Sequence, residues 1–74
     1  MQVLIVMDKR GDSRHEFDFA DPKSRADAER MFRQLAGDGY GAIAFSGDNS
    51  TGRRVDSLDL TATRTVFIPR LVGG

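Results

Sequence analysis

Asp21-Pro22-Lys23-Ser24-Arg25-Ala26-Asp27-Ala28-Glu29-Arg30-Met31-Phe32-Arg33-Gln34-Leu35-Ala36-Gly37 is the stretch whose reading decides the fold. Ala28, Met31, Phe32 and Leu35 stand at i, i+3, i+4 and i+7, one apolar stripe at helical spacing. Arg25, Glu29, Arg30 and Arg33 lie largely off that stripe. Asp21 can cap free backbone N–H groups, and Pro22 suits a first helical turn. Ser24, with Asp27 three residues on, offers a second cap. Gly37 is the natural stop. The spacing predicts one amphipathic helix from about Pro22 to Ala36.

Strand patterns flank the helix on both sides. Gln2 to Asp8 is apolar on both parities, with Val3, Ile5 and Met7 on one and Leu4 and Val6 on the other. Such a strand is central in its sheet or covered by a partner. Val3 and Ile5 are expected under the helix with Phe17, Phe19 and Ile43, which leaves Leu4 and Val6 as a candidate interaction face. Lys9 to Ser13 is a turn cluster, and His15, Phe17 and Phe19 alternate with Glu16 and Asp18 as in a half-buried strand. After the helix come a strand at Ala42–Phe45, a polar loop at Gly47–Gly52, a short irregular strand within Arg53–Leu60, and a final strand at Thr65–Ile68. Pro69 limits further pairing.

The order β-β-α-β-(β)-β predicts an α+β fold with a β-grasp-like (ubiquitin-like) mixed sheet and the helix across one face. The first and last strands lie side by side at its centre. A ferredoxin-like fold needs a second helix, and Thr61–Arg64 is too short for one. The whole chain, 1–74, reads as a single domain with a short tail at 69–74.

Composition narrows the function. The chain has 74 residues, no cysteine and a formal net charge of +0 from 11 basic and 11 acidic residues. A disulfide framework and a zinc–thiolate site are thereby excluded. The signs are interspersed, which argues against a nucleic-acid arm or a polybasic membrane anchor. No apolar run approaches the roughly 20 residues of a membrane span, and Met1 leads into a strand rather than a signal peptide. A cytoplasmic location fits.

Nor does the sequence point to catalysis. The single histidine, His15, lies on the apolar parity of the second strand, where a partly buried structural role outweighs a catalytic one. Asp8, Asp12, Asp48, Asp56 and Asp59 match no calcium-loop spacing and read as surface carboxylates. No cofactor or metal is expected. Arg10-Gly11-Asp12 spells an adhesive tripeptide but stands where a hairpin turn needs glycine. Arg53-Arg54, with Arg64 and Arg70, forms only a weak basic strip without aromatic platforms. The C-terminal Leu71-Val72-Gly73-Gly74 is more telling, because a slim diglycine can thread a narrow channel and present its carboxylate for activation, or dock in a groove.

Gly11-Asp12-Ser13, Phe17-Asp18, the helix with Phe32 and Leu35, Gly39-Tyr40, Ala44-Phe45 and the run from Val66 to Gly74 resemble a group of small phage and prophage proteins that end in Gly-Gly. The resemblance spans nearly the whole chain. Leu58-Asp59-Leu60 departs from that group's Phe-Asp-Pro, and Arg70 replaces its second proline. More distantly, the start and the Arg70–Gly74 end look like ubiquitin, although Lys9 and Lys23 are the only lysines. The first resemblance implies a non-catalytic phage or prophage interaction module, a virion structural or accessory component whose partners are assembly subunits. The second implies a modifier or sulfur carrier joined through Gly74, whose partner is an activating enzyme.

Overall fold

A computed structural model describes residues 1–47 and 51–69. Five strands and one helix follow in the order β1 (Gln2–Asp8), β2 (Gly11–Phe17), α1 (Pro22–Gly37), β3 (Tyr40–Phe45), β4 (Arg53–Val55) and β5 (Arg64–Pro69). They form a mixed five-stranded sheet in the order β2-β1-β5-β3-β4. Only β1 and β5 pair in parallel; the other neighbours are antiparallel. A parallel pair cannot be joined by a tight turn, and here everything between the two strands, α1 included, supplies the crossover.

The β1–β2 connection is a two-residue turn at Lys9-Arg10, closed by the Asp8–Gly11 pair. Gly11 has φ 125°, a region that L side chains rarely adopt. The Arg10 N–H donates to Asp8 Oδ1 at 2.8 Å. Arg10-Gly11-Asp12 is thus a hairpin tip, as its turn chemistry predicts. The strand stops at Phe17, short of the expected Phe19. Phe19 is nonetheless buried, its N–H donating to Gln2 Oε1 at 2.9 Å.

The Asp21 carboxylate caps α1 by accepting from the Lys23 N–H at 3.1 Å, with Pro22 opening the first turn. Ser24 does not cap; its hydroxyl accepts from the Asp18 N–H at 2.8 Å. The helix takes in Gly37, and the residue with positive φ is Gly39, at 96°. Asp38 closes the end, its N–H reaching the carbonyls of Gln34 and Leu35 at 3.0 and 3.1 Å.

The core lies between α1 and one face of the sheet, and it corrects the expected parity of β1. Leu4 and Val6 are buried beneath the helix, with Phe19, Ala28, Phe32, Ala42 and Phe67. Val3 and Ile5 are on the other face and only part-buried, and Met7 is exposed there. Ile43, also expected under the helix, gives way to Ala42 and Ala44. The cause is the register against β5, which sets Leu4 beside Thr65 and Val6 beside Phe67. Phe67 is fully buried and meets Phe32 edge-on, ring centroids 5.3 Å apart. The inward positions of β3 beside these two rings are the small Ala42 and Ala44.

Candidate interaction face

The sheet face away from α1 follows from the ladders, because paired residues share a side. From β1 come Val3, Ile5 and Met7, beside Glu16, Arg14 and Asp12 of β2. From β5 come Arg64, Val66 and Ile68, beside Phe45, Ile43 and Gly41 of β3. Arg54 of β4 stands beside Ile43. Seven apolar side chains therefore run across the three central strands, framed by charge on β2 and β4. Met7 and Ile68 are the most open of them, at 45% and 43% exposure. One helix cannot cover both faces of a sheet, and contiguous exposed apolar surface marks a contact site.

Three details shape this face. The Arg64 guanidinium stacks 4.5 Å from the Phe45 ring centroid, where a cation is attracted to the ring face. Gly41 lacks a side chain, leaving a notch of about 250 Å³ bounded by Ile43, Arg54, Ile68 and Pro69. Gly52 lies hard against Ile43 and Phe45, since a Cβ there would stand 2.5 Å from Ile43 Cγ2. Its backbone thereby shields one flank of that pair.

The face expected from sequence is the wrong one. Leu4 and Val6, assigned as an interaction face, are core residues and unavailable to a partner. The sheet register replaces them with Val3, Ile5 and Met7. The tail residues Leu71, Val72, Gly73 and Gly74 lie outside the described residues. His15 is exposed rather than partly buried, on the edge strand, with Ser13 Oγ at 3.3 Å from its Nε2. Arg53 and Arg54 point to opposite faces, which splits the expected basic strip. Among the described residues no group of three or more histidine, aspartate or glutamate side chains converges as metal ligands, and no helix is long and apolar enough to cross a membrane.

On the helix side a groove of about 430 Å³ runs between α1 and the β4–β5 connection, over Phe32 and beneath Leu58 and Leu60. Asp59 holds that connection in place. Its Oδ1 accepts from the Thr61 hydroxyl at 2.6 Å and the Thr61 N–H at 2.9 Å, and its Oδ2 pairs with Arg53. The Thr61 hydroxyl above all, then the Thr61 N–H and Arg53, hold the carboxyl below its usual 3.8. A lowered folded-state pKa adds stability that is present above 3.8 and is lost as pH falls through the folded value. Acid titration of the fold should show this loss below pH 3.8, and Asp59→Asn should remove that part of the profile. An unchanged profile in the variant would show that the bonds to Thr61 do not persist in solution.

Comparison with protein-family models, with curated proteins and with solved structures found no match to this chain.

Proposed function

We propose that this chain is a non-catalytic protein-interaction module of β-grasp-like fold, and that it serves as a structural or accessory component of a phage or prophage particle. The observation that carries the reading is the open apolar face built from Val3, Ile5, Met7, Ile43, Phe45, Val66 and Ile68. The β-grasp-like assignment is supported by the strand order β2-β1-β5-β3-β4 with parallel β1 and β5 at the centre. The phage assignment is supported by the resemblance of the Gly11-Asp12-Ser13, Phe17-Asp18 and Val66–Gly74 segments.

A second reading, a modifier or sulfur carrier activated at the Gly74 carboxylate, is favoured by the same strand order together with the terminal diglycine. Fold analogy alone is a weak warrant for it. One experiment separates the two. Particles induced from a strain that encodes the chain should contain it in fixed stoichiometry by quantitative mass spectrometry. Ile68→Asp should remove it from them without changing its melting temperature. Particles devoid of the chain would overturn the structural reading. An ATP-dependent adduct at Gly74 with a neighbouring adenylating enzyme would then establish the second.

A further inference from the structure

We propose that the occupant of the open face is a second copy of this chain, packed about a two-fold axis that runs along β5. The inference rests on the interaction-module reading and names the partner for it. Its basis is that the face is complementary to itself, in shape and in charge.

A two-fold axis along the central strand carries each strand to its mirror position in the sheet order. β1 of one copy then lies over β3 of the other, and β2 lies over β4. The ladder rows fix which side chains meet. Val3 comes over Phe45, Ile5 over Ile43, and Met7 over Gly41, because these residues flank Arg64, Val66 and Ile68 in the same rows. The most exposed apolar side chain of β1 thus falls on the one position of β3 without a side chain. The methionine has a flexible stem that fills irregular gaps, and the notch above Gly41 measures about 250 Å³. Val66 and Ile68 meet their own copies at the axis, as an isologous interface requires.

The charges agree. On β2 the open face carries Asp12, Arg14 and Glu16, one net negative charge. On the opposite edge β4 carries Arg54 and the central β5 carries Arg64, with no carboxylate beside them on this face among the described residues. The guanidinium of Arg64 leans over Phe45 toward β3, which brings it above Val3 of the other copy, next to Glu16. Arg14 and Arg54 face each other at the same level. The crossing of about −30° usual for aligned sheets shifts them apart and moves Arg54 toward a carboxylate of β2. The two edges are roughly 19 Å apart across four strand spacings. An interface of this extent covers on the order of 1,000 Å² in total, near the lower limit for a specific contact, which predicts a weak dimer that forms at micromolar concentration.

Sedimentation equilibrium of the full chain tests this. The wild type should be dimeric at high micromolar concentration. Gly41→Met fills the notch and should raise the dissociation constant by about tenfold or more, because overpacking a filled contact is unfavourable. The substitution leaves the monomer intact, since the nearest atom to a Cβ at Gly41 is the Ile68 carbonyl oxygen at 3.9 Å. Adding Met7→Ala to Gly41→Met exchanges knob and hole and should restore most of the affinity. Glu16→Lys, on an exposed edge strand, should weaken the dimer by a few-fold, a loss that grows less with added salt. A wild type that stays monomeric, or a double variant no better than Gly41→Met alone, overturns the proposal. In a monomer the dye ANS then separates the two readings. Dye uptake that Ile68→Asp abolishes leaves the apolar contact face standing and removes only the second copy; a dark monomer removes both.

Discussion

Phe32→Ala should destabilise this chain by about 3–5 kcal/mol, the range for removing a large buried aromatic. Phe32 is 3% exposed and touches Phe67 edge-on at an interplanar angle of 71°. Such aromatic pairs add to the stabilisation from burial itself. Ala36 and Ala42 line a space of about 160 Å³ beside the ring and are too short to fill the hole left by the truncation. A single-core domain possesses roughly 5–15 kcal/mol in all, so the variant should be largely unfolded well below the wild-type midpoint in urea. A midpoint unchanged by the substitution would place the helix face elsewhere.

Leu4→Ala should cost about 2–5 kcal/mol, and its neighbour Ile5→Ala about 1 kcal/mol or less in the monomer. The contrast is a test of register. Leu4 is fully enclosed beneath α1, whereas Ile5 stands on the open face. A one-residue slip would exchange every side chain of β1 between the faces. Equilibrium unfolding at low protein concentration, where no second copy contributes, should rank the two variants in this order. The reverse ranking would require Val3, Ile5 and Met7 to be the core.

The helix, its Asp21 cap, the hairpin tip and the strand succession are legible in the sequence because each is specified locally. A stripe at 3.6-residue spacing, a capping carboxylate and a glycine in a turn act within a few residues of themselves. The parity of β1 is different in kind. Both of its faces are apolar, so nothing within Gln2–Asp8 says which side meets the helix. The answer lies some sixty positions away, in the pairing of Leu4 with Thr65 and Val6 with Phe67. β3 misleads for a related reason. Ile43 is the bulkiest aliphatic there, yet its pairing with Val66 turns it outward and sets Ala42, beside Phe67, on the inside. Two alanines alternating with Ile43 and Phe45 were the one available sign that the larger residues face outward. The candidate face inherits both ambiguities, so the sequence places spare apolar surface on the sheet but assigns it to Leu4 and Val6.

The strand at the centre of the sheet is also the last of the five in chain order, and this bears on how the protein comes into being. Take β5 away and the sheet is left as two separate antiparallel pairs, β1 with β2 and β3 with β4. Between them is a gap one strand wide. Both inner edges then present unpaired N–H and C=O groups, and Leu4, Val6 and Ala42 lack the Phe67 ring against which they pack. Within the sheet only β5 joins the halves, through contacts among the most distant in sequence that the described residues make. Contacts of that kind form slowly, and open strand edges recruit other chains in the meantime. The fold is thus a clasp whose tongue comes last in the chain, and a chain cut before Arg64 should associate through its open edges rather than stay monomeric.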